Sequence, residues 1–235
     1  AAYHGISLTA QLMKIDYALE LLEIQSLSSL NKYFEKLKED QSKAAKSLLK
    51  LKEFQNIIKL TNELINRNIE HPKFAKLLEI VKAELNLNPS IKIMIFANYR
   101  DTVNNILNLL KSNNIKVVKL IGQKLGLTQK EQINIVKTFE ESDDNVLIST
   151  SIGEEGIDIK GANIVIFYEA VASEIRKIQR TGRVARLIAG KIIFLITKNT
   201  RDEAYFWSGY QKEKRMKKAL YSLRDKNIEE FLKEE

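Results

Sequence analysis

The stretch Ile164-Val165-Ile166-Phe167-Tyr168 is β-branched or aromatic at every position. A run without apolar–polar alternation predicts a strand covered on both faces, as in a parallel sheet. Working outward, Ile91–Ala97, Lys116–Ile121, Asn145–Ser149 and Lys191–Ile196 read as further strands. Helical patterns fall between and after them, at roughly 101–112, 128–141 and 173–182, with a long one from about 200 to 221. Strand–helix alternation of this kind means a doubly wound α/β fold. Ligands of such folds bind outside the carboxyl ends of the strands. The loops after Ala97, Ile121, Ser149 and Tyr168 are therefore where the chemistry is expected.

Upstream of residues 66–72 the pattern is different. Leu8, Leu12, Ile15, Leu19 and Leu22 recur close to a 3.6-residue period, predicting a helix over 7–24. A polar break at Ser26–Ser29 follows, then helical stretches over 30–39 and 42–66 with almost no Gly or Pro. The chain is thus expected to hold a small all-α helical unit, residues 1–66, followed by an α/β unit, residues 67–235. A helix over 73–85, stopped near Pro89, opens the second unit.

Composition narrows the function. Cysteine is absent, which rules out disulfides and Cys-based zinc sites. The two histidines, His4 and His71, lie far apart in sequence, so they make no His-rich metal site by themselves. No apolar run is long enough to span a bilayer, no signal peptide is visible, and a cytoplasmic, nucleoid-associated location is the expectation. The net charge is +8. Residues 171–224 carry 14 Lys/Arg against 4 Asp/Glu, while residues 1–90 are nearly balanced at 13 against 11. The basic surplus is local, which points to a polyanionic partner or, more plainly, to a solvated helical face.

Three constellations stand out. Gln179-Arg180-Thr181-Gly182-Arg183-Val184-Ala185-Arg186 places three arginines at i, i+3 and i+6 where a helix ends. Their guanidiniums repel one another unless an anion such as phosphate sits among them, and a solvent-facing basic helix end is the plainer reading. Ser149-Thr150-Ser151-Ile152-Gly153-Glu154-Glu155-Gly156-Ile157-Asp158 follows a strand directly. Its small hydroxyl residues and glycines suit a backbone cradle for phosphate oxygens, or an ordinary turn. Phe96-Ala97-Asn98-Tyr99-Arg100-Asp101-Thr102 closes the first strand, with Asp101 as the expected N-cap of the next helix and Tyr99 and Arg100 at the sheet rim.

Taken in order, these motifs, with Gly122-Gln123 and Phe167-Tyr168-Glu169 between them, resemble motifs IV, IVa, V and VI of the superfamily 2 helicases. The GEEG string followed by Asp158, His71-Pro72-Lys73, and Arg201–Ser208 after the last strand are similar to the archaeal Hef and FANCM branch. The resemblance covers nearly the whole chain. It implies a RecA-like second motor domain preceded by a thumb-like helical insert. By that resemblance Arg183 and Arg186 reach the nucleotide phosphates, with Arg186 as the finger at the γ-phosphate, and Gln179 links to the nucleotide site. Gly156 and Asp158 match positions coupling nucleotide to nucleic acid. Thr150, Ser151, Asn98, Tyr99, Arg100, Gly122 and Gln123 match positions along the bound strand. Ala185 stands where that branch commonly has glycine, and the stretch Gly122–Thr128 is short.

No Walker A string and no DEAD or DEAH string occurs. The chain is therefore expected to be a piece of a longer motor that uses ATP with Mg2+, to bind no nucleotide tightly alone, and to be inactive as an ATPase without an N-terminal RecA-like domain. Forked or branched DNA is the expected partner. An RNA or double-stranded RNA helicase of the Dicer and RIG-I-like type, and a non-catalytic nucleic-acid-binding module, are the alternatives. In the helical unit Lys32, Lys36, Lys43, Lys46 and Lys50 fall near i, i+3, i+4 spacing and could line a phosphate track. Tyr205, Phe206, Trp207 and Tyr210 are expected to pack rather than stack on bases, and His71 to open a helix rather than catalyse.

Overall fold

The computed structural model describes residues 2–120, 128–150, 162–170 and 190–224. Five strands form one parallel sheet in the order β2-β3-β1-β4-β5: β1 Ile93–Phe96, β2 Val117–Leu120, β3 Val146–Ser149, β4 Ile164–Phe167 and β5 Lys191–Phe194. The sheet is covered on both faces. Phe74, Leu77 and Val81 of α5 (Pro72–Leu87) and Val103, Ile106 and Leu110 of α6 (Arg100–Ser112) pack on one side. Val136 and Phe139 of α7 (Gln129–Glu141) pack on the other. Every residue of β1, β3 and β4 is buried, which is why none alternates in polarity.

The strand ends lie level. Phe96 pairs with Ser149 and with Phe167, Leu120 with Ser149, and Phe167 with Phe194. Phe96 stacks on Phe167 at 5.4 Å, Phe167 on Phe194 at 4.9 Å, and Phe194 meets Phe206 of the last helix, α8 (Arg201–Arg224), edge-on at 5.4 Å. This ring ladder holds the carboxyl ends of β1, β4 and β5 to α8. Of the aromatic cluster on α8, Phe206 packs as expected, while Trp207 is 52% exposed.

Local chemistry fixes the helix ends. His71 caps α5 through a side chain that accepts from Lys73 N–H, with Pro72 at the first helical position. Thr128 and Glu131 make a reciprocal capping box on α7. Asn68 and Asn114 take φ of 56° and 59° just past α4 (Lys52–Asn66) and α6, and the next residue bonds back five positions, as Ile115 N–H does to Leu110 O at 3.0 Å. Lys92 Nζ donates to the carbonyls of Phe139, Ser142 and Asp144 at 2.6–2.8 Å, so one ammonium closes the end of α7.

The N-terminal part is a helical bundle of α1 (Ala2–Glu20), α2 (Leu27–Glu39), α3 (Lys43–Lys50) and α4 (Lys52–Asn66). Its core holds Leu21, Leu30, Phe34, Leu37, Ala45, Leu48 and Phe54. Three sequence expectations are corrected here. The helix over 7–24 is α1 followed by a π-helical turn, Leu21–Gln25. The helix over 42–66 is two helices broken at Leu51, whose ψ of 127° is extended. In one unbroken helix Leu48 and Phe54 would sit roughly 120° apart around the axis; the break lets both enter one core. The third correction is Asp101. Tyr99 occupies the N-cap of α6 without a side-chain cap, and Asp101 lies inside the first turn, where its charge still suits the helix end. The expected helix over 173–182 lies outside the described residues.

One buried ion pair ties these layers. Lys73 of α5 meets Asp202 of α8 at 2.5 Å, with side-chain exposures of 5% and 0%. Lys73 Nζ also donates to Tyr168 O at 2.9 Å, and Asp202 accepts the N–H groups of Ala170 (3.0 Å) and Thr197 (2.9 Å). Burial pushes the Lys73 ammonium below its ordinary pKa, and Asp202 opposes that shift. Asp202→Ala should therefore cost about 3–5 kcal/mol, because it strands a buried ammonium and two amides. A denaturant titration of both proteins measures it.

Candidate nucleic-acid interface

The loop Ala97–Arg100 leaves the carboxyl end of β1, and Thr150 and Tyr168-Glu169 leave β3 and β4 beside it. The Glu169 carboxylate is buried and accepts the Asn98 N–H, so the end of β4 fixes the start of that loop. Asn98 is half-buried. Tyr99 does not stand free at the rim. Its hydroxyl donates to Glu20 Oε1 of α1 at 3.2 Å, and its ring packs against the helical core. Burial first, then the Glu20 carboxylate, pushes the Tyr99 hydroxyl well above its usual pKa, so it stays a donor. Arg100 is exposed and makes no ion pair among the described residues. Thr150 is 3% exposed, and its hydroxyl has no partner among them.

The π-helical turn joins the bundle to this rim. Gln25 Oε1 accepts from Thr102 Oγ1 at 2.6 Å, and Gln25 O accepts from Tyr168 Oη at 3.1 Å. Ser26 caps α2 by accepting Ser29 N–H at 2.9 Å, and Asn105 donates to Ser28 Oγ at 2.7 Å. The polar break Ser26–Ser29 is thus the buried joint against α6, not a solvent loop. On the far side, Arg201 bonds Asp16 and Glu23, and Leu27 N–H donates to Glu70 Oε1.

Between α1, α2 and the β1 loop lies an open cleft of about 300 Å³, bounded by Tyr17, Tyr33, Tyr99, Lys32, Lys36 and Arg100 among others. Asn98, Tyr99 and Arg100, consecutive in the β1 loop, all line this cleft. Sequence reasoning missed Tyr17 and Tyr33, because nothing in local spacing says that α1 and α2 fold back over the rim. Lys43 and Lys46 are exposed on α3, make no ion pair among the described residues, and do not line the cleft. Gly122, Gln123, Ser151, Gly156, Asp158, Gln179, Arg183 and Arg186 lie outside the described residues. Among the described residues no group of His, Asp and Glu could hold a metal ion, and no helix is long and apolar enough to cross a membrane.

A parallel sheet with a helical bundle seated beside the β1 loop is the architecture of a helicase second motor domain with an insert. The helicase conserved C-terminal domain family matches residues 72–188, and the helical bundle of an ATP-dependent RNA helicase family matches residues 3–67. The chain belongs to the superfamily 2 helicases of the Hef and FANCM type, as their C-terminal half. The Hef helicase domain of Pyrococcus furiosus superposes with a TM-score of 0.70 at 40% identity, covering 85% of this chain and 42% of that one. A Methanocaldococcus jannaschii protein, provisionally named an ATP-dependent RNA helicase, is 43% identical over 94% of this chain. The ATP-dependent DNA helicase mph1 of Neurospora crassa is 32% identical over 70% of it. The chain spans 28% and 15% of those two proteins' lengths.

His71 gives the joint a pH dependence. Its Nδ1 accepts from Lys73 N–H, so Nε2 carries the proton donated to Glu23 O at 3.0 Å. Burial, aided by the Lys73 charge, lowers its pKa below the ordinary 6.5, against the raising pull of the Glu23 carbonyl, Glu70 and Asp202. The unfolded chain then takes up the proton first. The contribution to stability is complete above about pH 6.5 and declines as pH falls below it. His71→Asn keeps a capping acceptor and removes the titration. Its unfolding midpoint should fall less between pH 7 and 5 than that of the wild type.

Proposed function

We propose that this chain is the C-terminal motor half of an ATP-dependent helicase or translocase working on branched or forked DNA. In that reading residues 1–66 are the thumb-like insert and residues 67–235 the RecA-like domain. The observation that carries it is the β1 loop, Asn98–Arg100, held at the sheet rim directly beside the helical bundle. The similarity to the Hef helicase domain and to a DNA helicase supports it. Phosphates of one strand run along Asn98, Tyr99, Arg100, Gly122, Gln123, Thr150 and Ser151, with Lys43 and Lys46 of the insert reaching the duplex beyond. Binding of this kind is independent of sequence and strongly salt-dependent.

ATP with Mg2+ belongs to the longer, two-domain protein, whose N-terminal RecA-like domain supplies the Walker residues missing here. Gly156 and Asp158 couple that site to the strand, Gln179 contacts it, and Arg183 and Arg186 reach the phosphates. The fragment alone is inactive as an ATPase. A reading as an RNA helicase is favoured by the name of the M. jannaschii relative and by the family matching the bundle. In the cell the motor works in the cytoplasm on the nucleoid.

The test rejoins this chain to its upstream motor domain and measures ATP hydrolysis with no nucleic acid, forked DNA and matched forked RNA. Fork-stimulated hydrolysis that Arg186→Ala lowers about 10³-fold while DNA binding persists supports the proposal. Stimulation by RNA alone favours the RNA reading. Absent ATPase, or a silent Arg186→Ala, leaves a nucleic-acid-binding module.

A further inference from the structure

The cleft between the helical bundle and the β1 loop brings Tyr17, Tyr33 and Lys36, which the motor reading does not use, beside Tyr99 and Arg100, which it does. Tyr17 and Tyr33 meet edge-to-face at 4.9 Å, and both line the cleft with Tyr99. Two of the three rings are anchored through their hydroxyls, Tyr33 to Lys14 O at 3.1 Å and Tyr99 to Glu20 Oε1 at 3.2 Å. They are fixed walls rather than mobile side chains, so a ligand settling against them orders little that is not already ordered. Tyr17 keeps 38% of its surface exposed.

Charge at the same cleft is asymmetric. Lys32 is taken by Asp101 at 2.6 Å. Lys36, one turn further along α2, and Arg100 at the start of α6 also line the cleft, are exposed, and make no ion pair among the described residues. A planar ring system with an anion attached would meet tyrosine side chains and two cations that make no ion pair among the described residues. The opening of about 300 Å³ sits at the small end of ligand pockets, suited to a single unit rather than an extended chain.

We propose that this cleft holds one unpaired nucleotide of a nucleic-acid strand, its base against the tyrosines and its phosphate at Lys36 and Arg100. The inference rests on the motor reading above, because the β1 loop is common to both, and it adds a component of the helical bundle. A base held in a duplex stack cannot enter the cleft without unpairing, so the site distinguishes a frayed or single-stranded arm from an intact duplex. It would give the bundle a direct role in recognising where a duplex opens. Aromatic stacking tolerates every base, so no sequence preference follows.

The experiment measures fluorescence anisotropy of this chain with a fork bearing two unpaired arms and with a blunt duplex of the same length, each as DNA and as RNA. Tyr17→Ala and Lys36→Ala should each weaken fork binding by about fivefold or more while leaving blunt duplex within about twofold; Tyr17→Phe should bind as the wild type. Lys36 is exposed, so that variant remains informative even if Tyr17→Ala folds poorly. A 5-iodouracil placed in the unpaired arm should cross-link to Tyr17 or Tyr33. Loss on DNA and RNA alike supports an unpaired nucleotide of either kind, and loss on one alone supports the site and names its source. Variants that bind as the wild type, an equal loss on fork and blunt duplex, or cross-links confined to other residues would overturn the proposal. The motor reading is judged separately, by fork-stimulated ATPase of the rejoined protein: ATPase intact with silent cleft variants sinks the cleft alone.

Discussion

The Lys73–Asp202 pair is the constraint from which the α/β layers take their arrangement. Both groups are withdrawn from water, so each must find its partner and fill its remaining hydrogen bonds inside the fold. Lys73 does so through the carbonyl of Tyr168, and Asp202 through the amides of Ala170 and Thr197. These contacts come from α5, the end of β4, the loop after β5 and the start of α8. A shift of any one of them would leave a buried charge or amide unmatched. The pair is thus better described as a registration device than as a source of net stability. The rim that carries the candidate site is built on the strand ends it aligns.

The helical bundle depends on the same region. Tyr168, whose carbonyl takes the Lys73 ammonium, sends its hydroxyl to Gln25 O in the π-helical turn. His71, two residues before Lys73, reaches Glu23 O in that turn. The turn ends at Ser26, and the last carbonyls of a helix have no partner within it; here Glu23 and Gln25 present theirs to His71 and Tyr168. Tyr99 then ties the β1 loop to Glu20, just ahead of the turn. The bundle is held over the rim by polar contacts with directional geometry, and the cleft between them has fixed walls as a result.

Much of the fold was legible in the sequence, for identifiable reasons. The five strands were read to within two residues at each end: β1 and β4 are continuously apolar because both their faces are buried, and the partly exposed β2 and β5 still carry short β-branched runs. His71-Pro72 as a helix start was legible because proline suits the first helical position, and the structure adds the His71 cap. The break at Leu51 was not legible: no Gly or Pro marks it, and it exists because Leu48 and Phe54 must enter the same core. Asp101 misled for a related reason. As an isolated residue it is a better cap than Tyr99, but Lys32 of the bundle takes its carboxylate, and the rim sets where α6 begins.

What the sequence determined by itself was the local and periodic part. That comprises the parallel α/β class, the all-α segment before it, the helix start at His71-Pro72, and the motif order that marks a superfamily 2 helicase of the Hef and FANCM type. These depend on residues within a few positions of one another or on spacing along the chain. Only the tertiary structure decided that Tyr17, Tyr33, Lys36 and Arg100 share one cleft, that the Ser26–Ser29 break is a buried joint, and that Lys73 and Asp202 neutralise each other. Most of those partners lie on different elements, up to well over a hundred residues apart. Their meeting is set by how layers pack, and no local pattern encodes it.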